Sequence, residues 1–237
     1  MAVVITARGS NQRTATDATR TLATASFSPT GSAQLVLCVR VFIGLAACDV
    51  TVADTLTGSG AWGQVATVTS APYGGYTMRT SIWKMTMGAS PGSGTVTVTR
   101  TAGNTDYAYF MDVLEVAGAS TTIGLTATAG PTVATSLATD LGSAPASTSA
   151  VICMVGVESD AADSTHPTGY TEDYDQQLPF NDEMSVAYKV GSPGQTQTWT
   201  TLDVAATGAT VLAAEFTEVG GAATVKPRSL MMTGMGQ

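Results

Sequence analysis

Gln34-Leu-Val-Leu-Cys-Val-Arg-Val-Phe42 is the stretch that decides the fold class. It is continuously apolar, rich in β-branched residues and interrupted by one charge, Arg40, which predicts a strand buried on both faces. The surrounding run from Leu35 to Cys48 is too short, and with Arg40 too charged, to cross a bilayer. Thr95-Val-Thr-Val-Thr-Arg100 gives the complementary signal. Its strict alternation, ending at Ala102-Gly-Asn104, predicts a half-buried strand followed by a turn. Further strands are expected at Val65–Thr69, Thr77–Met87, Ala108–Val116, Ile123–Ala127, Ala150–Val157, Met184–Val190, Thr196–Leu202 and Thr210–Val219. Gly88-Ala-Ser-Pro-Gly-Ser-Gly94 and Gly191-Ser-Pro-Gly194 punctuate them. No window sustains helical spacing. The expectation is therefore an all-β chain, an antiparallel β-sandwich or jelly roll with short terminal arms.

The two halves resemble each other, which predicts an internal duplication. Leu37-Cys38 matches Ile152-Cys153, and Gly60-Ala-Trp62 matches Thr168-Gly-Tyr170. Ile82-Trp-Lys84 matches Ala187-Tyr-Lys189, and Thr95–Arg100 matches Thr198–Asp203. Asp112-Val-Leu-Glu-Val-Ala-Gly118 matches Glu215-Phe-Thr-Glu-Val-Gly-Gly221, setting Glu115 against Glu218. Separations shrink from 115 to 108, 105 and 103 along the chain, as shortened loops in a second copy would produce. The predicted organisation is an N-terminal arm (1–20), a duplicated sandwich (21–221) and a Met-rich tail (222–237). Within the sandwich, copy one spans 22–118, a connector 119–147 and copy two 148–221. One continuous double-layer sandwich is preferred over two separate ones.

Composition excludes several functions. The chain has 237 residues, 44% of them hydrophobic and 12% charged, with net charge −8; 40 are Thr and 25 Gly, against three Lys. So few cations cannot replace phosphate counterions along a nucleic acid, and the acidity repels anionic membranes. The apolar fraction excludes intrinsic disorder. Met1–Ser10 has a brief apolar stretch with no basic residue before it, so no secretory signal is read. Cys38, Cys48 and Cys153 are read as buried thiols of a protein made in a reducing cytoplasm.

Candidate chemistry is sparse. His166, in Asp163-Ser-Thr-His-Pro-Thr168, is the single histidine, and a surface role is expected for it. No zinc spacing, phosphate loop or nucleophile elbow occurs, so neither a catalytic residue nor a cofactor is expected. Lys84, Lys189, Glu115 and Glu218 are read as structural. Asp112 with Glu115, or Glu215 with Glu218, is a weak hydrolase pair, since residues three apart on a strand point to opposite faces. The acidic stretch 158–183 offers hard oxygens for Ca²⁺, with Glu158, Asp160, Asp163, Asp173 and Asp175 as candidates; the competing reading is a solvated loop pair. Trp62, Tyr73, Tyr76, Tyr170 and Tyr174 would form a sugar platform if exposed. The favoured alternative makes Trp62 and Tyr170 equivalent core plugs.

Ser81-Ile-Trp-Lys84, Met87-Gly-Ala-Ser-Pro91, Thr95-Val-Thr-Val-Thr99 and Val113-Leu-Glu-Val-Ala-Gly118 together resemble the Thr/Gly/Ala-rich β-sandwich structural proteins of tailed bacteriophages. The resemblance covers roughly residues 20 to 221. It implies a non-enzymatic virion component, made in the host cytoplasm: a capsid decoration (cement) or tail-associated protein. Its implied partners are the major capsid or tail protein and further copies in a homo-oligomer. The alternative expectation is a carbohydrate- or receptor-binding module of tail-fibre or adhesin type, with a surface glycan as ligand. Leu230, Met231, Met232 and Met235 are the candidate partner-binding residues, because methionines adapt to irregular apolar surfaces.

Overall fold

In the computed structural model residues 2–14, 21–44, 49–69, 76–100, 106–158, 164–178, 182–202 and 208–220 are described. Strands make up 69% of this structure, against about a quarter in an average domain, and no helix occurs among the described residues. The first half contributes β1 (Val4–Thr14), β2 (Thr21–Ala23), β3 (Gln34–Gly44), β4 (Val50–Asp54), β5 (Gly63–Thr69), β6 (Tyr76–Thr86), β7 (Val96–Arg100) and β8 (Asp106–Ala117). The second contributes β9 (Ala119–Thr132), β10 (Ser136–Asp140), β11 (Ala150–Glu158), β12 (Thr171–Leu178), β13 (Asp182–Val190), β14 (Thr196–Thr200) and β15 (Ala209–Glu218).

These strands build four layers. A five-stranded sheet, β1-β8-β3-β6-β5, packs face to face on another, β9-β15-β11-β13-β12. Each is covered outside by a small sheet, β2-β7-β4 on the first and β10-β14 on the second. Every pairing is antiparallel. The long apolar runs sit centrally because both of their faces are covered. β3 sends Val36, Cys38 and Phe42 into the central core between the large sheets, and Leu35, Leu37, Val39 and Val41 into the first outer core. β11 likewise sends Ile152 and Met154 inward and Val151, Cys153 and Val155 outward. Each half thus closes its own small sandwich, and the two halves also share a third core. A single double-layer sandwich is not what forms.

The terminal assignments change accordingly. The stretch read as an N-terminal arm runs as β1, an edge strand paired with β8 from Val4↔Ala117 to Thr14↔Ala108. The stretch read as a connector supplies β9 and β10, the first two strands of the second half. The tail from 221 onward lies outside the described residues.

Strand order is the same in the two halves, with β1 to β3 corresponding to β9 to β11 and β5 to β8 to β12 to β15. β5 and β12 carry a bulge at the same place, between Gln64 and Ala66 and between Glu172 and Tyr174. The loops repeat too. Ala33 N–H donates to Thr30 O and Met87 N–H to Ala33 O; Ser149 donates to Ala146 O and Gly191 to Ser149 O. These bonds set Ala33 against Ser149, and therefore Leu37 against Cys153 and Met85 against Lys189. Matching by residue identity, Cys38 with Cys153 and Lys84 with Lys189, is one residue out. On the last strand it is three out: Glu215, not Glu218, is the counterpart of Glu115. Both side chains accept the amide that precedes the central strand, from Thr30 N (2.9 Å) and from Ala146 N (2.8 Å). Similarly, β14 from Thr196, rather than the run from Thr198, is the counterpart of β7.

The large sheets stack with β1 opposite β12 and β5 opposite β9, as a two-fold relation between the halves requires. Near that axis β3 carries Arg40, and the corresponding residue of β11 is Gly156. A Cβ on Gly156 would lie 2.3 Å from Arg40 Nη1 and 2.9 Å from Thr80 Oγ1. One long side chain occupies a place that cannot hold two.

Candidate functional site

β8 reads Phe110-Met-Asp-Val-Leu114, and period-two geometry turns Phe110, Asp112 and Leu114 toward the central core. Asp112 is only 2% exposed. β12 approaches from the other half, and its bulge re-aims Asp173, the extra residue between Glu172 and Tyr174. The two carboxyl groups lie close enough for each to act on the other. Burial, then the charge of Asp173 and the bond to it, push Asp112 well above the usual carboxylate range; burial also raises Asp173. Among the described residues no ion pair reaches either group. Beside the pair opens a cleft of about 430 Å³ lined by Ser10, Asn11, Asp173, Tyr174, Asp175 and Gln176.

The two-fold relation gives this junction an internal control. The corresponding junction, between β5 and β15, places Val65 where Asp173 stands and Leu212 where Asp112 stands. Both belong to or pack on the central core. The fold is satisfied by an apolar pair there, so the acid pair is a special feature of one junction. Chemically it sets two acids against each other at the edge of the central core, both with carboxyls raised by burial. Two carboxylates alone are a poor cation cage, and among the described residues no group of three His, Cys, Asp or Glu is placed to hold a metal.

A second buried charge joins the halves. Arg40 Nη2 donates to Asp182 Oδ1 at 2.9 Å with both side chains at 0% exposure, and Nη1 donates to Met78 Sδ. Burial lifts the Asp182 carboxyl to about 7, and only the Arg40 charge and hydrogen bond oppose it. Thr80 and Thr210 close the set, hydroxyl to hydroxyl at 2.7 Å.

A third feature lies on the outer sheet of the second half. A cleft of about 330 Å³ runs beside β14, lined by Thr196, Thr198, Thr200, Tyr170, Lys189 and the His166-Pro167 segment among others. Tyr170 is 8% exposed, and Lys189 Nζ lies 6.0 Å from its ring centre.

The residues singled out from sequence fall as follows. Glu158 ends β11 while Asp173 and Asp175 lie on β12, two strands away and offset along the sheet. Strand spacing and rise put Glu158 and Asp175 roughly 14 Å apart, too far to share one Ca²⁺. Asp160 and Asp163 lie outside the described residues. So do Cys48, Tyr73 and the tail residues Leu230, Met231, Met232 and Met235. Segment 171–178, read as solvated loop, is strand β12. Cys38 and Cys153 are free and buried, and burial pushes both thiols up, so they are inert. His166 meets Pro167 O at 3.2 Å, with Glu172 at 4.0 Å. The sugar platform does not form from Tyr170 and Tyr174, which are buried, or from Trp62, which is half-buried and bonded through Nε1 to Asp54 at 3.0 Å. Trp62 and Tyr170 are equivalent plugs of their outer cores.

Sequence reasoning missed the Asp112–Asp173 pair. A lone Asp inside Phe110–Val116 was its visible half; the other half depends on a bulge and on contact between distant segments. Comparison with family models, curated proteins and solved structures finds no match. No helix among the described residues is long and apolar enough to cross a membrane.

Proposed function

We propose that this chain is a non-enzymatic structural component of a tailed-bacteriophage virion, a capsid decoration (cement) or tail-associated protein. One observation carries the reading: the outward rows of the small sheets are rich in threonine and alanine, with Asp140 the one charged residue among them. On the first half, Thr21, Thr99 and Thr51 line up across β2, β7 and β4, with Ala23, Thr97 and Ala53 beside them. On the second half, Ser136, Thr200 and Thr165 line up, followed by Ala138 and Thr198. Covering such faces with neighbouring subunits desolvates hydroxyls and methyls rather than ions, which is cheap in free energy.

Seven of the 28 Lys, Arg, Asp and Glu residues are buried: Arg40, Asp182, Glu183, Asp112, Glu115, Glu215 and Arg100. We further infer that each half is a jelly roll related to the other by duplication. β1-β8-β3-β6 faces β2-β7-β4 in that fold's strand order, with β5 carried on the edge next to β6. Jelly rolls are frequent in viral capsids, an analogy of fold that supports the reading without assigning a position in the particle. Burial of Tyr170 and Tyr174 weighs against the glycan-binding alternative.

The test is occupancy on purified particles, for the full chain and for a chain lacking 223–237, from low to moderate salt. The proposal expects the full chain to stay bound as salt rises and the truncated chain to lose occupancy. Release of the full chain by moderate salt would show that charge holds it instead.

A further inference from the structure

In the first half β7 lies between two strands. The backbones of Thr95, Thr97 and Thr99 face β4, through pairs Thr51↔Thr99 and Ala53↔Thr97 and the bond from Thr55 N to Thr95 O (3.0 Å). In the second half the corresponding strand, β14, has β10 on one side. On the other side, among the described residues, it has a single bridge, Thr165↔Thr200. Thr165 N donates to Thr200 O at 2.8 Å and Thr200 N to Thr165 O at 3.1 Å. Alternation along a strand therefore turns the N–H and C=O of Thr198 and Thr196 to that same side. Beyond Thr165 the chain passes through His166-Pro167, where Pro cannot continue the ladder, and the 330 Å³ cleft opens there.

Two side chains say what is missing. In the first half, Asp54 at the end of β4 accepts from Trp62 Nε1 at 3.0 Å. The counterpart of Trp62 is Tyr170, whose buried hydroxyl meets no partner within hydrogen-bonding geometry among the described residues. Gln197 stands near enough to act on that hydroxyl, while its amide donates to Gly194 O (2.7 Å) and its carbonyl accepts from Thr139 (3.3 Å). The cation of Lys189 stands over the Tyr170 ring, 6.0 Å from its centre, where the first half has Met85.

The geometry points to an extended peptide strand from a partner protein as the occupant of this edge, aligned antiparallel to β14. It is an uncharged β-branched segment ending in a carboxylate that reaches Tyr170 Oη and Lys189 Nζ. β4, Val50-Thr-Val-Ala-Asp54, is the pattern, because it fills the same edge in the other half. Strand addition of this kind takes its affinity from main-chain bonds and its selectivity from the alternate side chains. The inference goes beyond the virion reading and can be tested on the isolated chain.

The probe is a synthetic peptide of residues 49–55, added to the full-length protein while amide exchange is followed residue by residue. The expected result is saturable slowing of Thr196 and Thr198 exchange by at least about tenfold. The same peptide carrying Asp54→Asn should bind about tenfold more weakly, since a charge-assisted bond becomes a neutral one. Thr198→Pro removes only a cleft-facing donor, so it should abolish binding while the thermal melt stays cooperative. Lys189→Met, which does not touch the backbone, should weaken binding by itself. No protection at millimolar peptide would overturn the proposal. So would protection that grows with protein concentration without peptide, which would make a second copy the occupant. Acetate alone reproducing the Tyr170 and Lys189 signal changes without amide protection would reduce the site to a small-anion pocket and also overturn it.

Discussion

At the scale of single residues, several ionisable groups are buried where a charge costs most. A carboxyl whose native pKa is raised binds more protons folded than unfolded, so stability falls as pH climbs from the unfolded value, about 4, through the native one. Asp112, Asp173 and Asp182 all shift in that direction, Asp182 to about 7. Glu115 shifts the other way: burial raises it, but bonds from Arg8 and Thr30 outweigh that and hold it low, so its contribution is lost only on acidification. The melting temperature should therefore be higher near pH 5 than near pH 8. Asp112→Asn, which removes one of the raised carboxyls, should flatten that slope by up to about 1.4 kcal/mol per pH unit. A pH profile unchanged in Asp112→Asn would remove the pair as its source. Gly156→Ala tests the crowding at the two-fold axis. A Cβ 2.3 Å from Arg40 Nη1 forces the guanidinium to move against Asp182, and urea denaturation should register a loss of about 1–3 kcal/mol.

At the scale of elements, period and register decide what was legible. β3, β7 and β11 could be read because a long apolar run or a strict alternation has one physical solution. β12 could not: Thr171-Glu-Asp-Tyr-Asp-Gln-Gln-Leu178 is polar enough to pass for a loop, and only the neighbouring half gives Tyr174 and Leu178 a core to enter. The internal repeat was visible as a pattern, but its register was not. Identity drew Cys38 to Cys153 although one faces the central core and the other an outer one. A one-residue slip on a strand exchanges its faces, and residue identity carries no information about facing. Alanine substitution discriminates the two registers. Glu215→Ala removes bonds from Ala146 N, Leu125 N and Ser149 Oγ, and should cost about 1–3 kcal/mol, as Glu115→Ala should in the first half. Glu218→Ala, at the half-buried strand end, should cost less. Equal losses from Glu218 and Glu215 would return the register to the one read from sequence.

At the scale of the whole molecule, three cores in series make a four-layer block whose outer rows carry little charge and whose halves share one strand order. Because the central core joins the halves through the apolar cluster as well as Arg40–Asp182, the halves should unfold together. Calorimetry should show one transition with calorimetric and van't Hoff enthalpies equal; two resolved transitions would mean the central core is not structural glue. The composition that leaves the outer rows with little charge was legible from the start, whereas its arrangement in rows across β2-β7-β4 and β10-β14 was not. A block of this kind is suited to being tiled against neighbours, and the most direct measurement is the number of copies on particles. Quantitative mass spectrometry of particles purified through density gradients, with and without a moderate-salt wash, reads it. The account predicts one fixed copy number per capsid or tail subunit, unchanged by the wash. Substoichiometric, variable or salt-stripped amounts would contradict it.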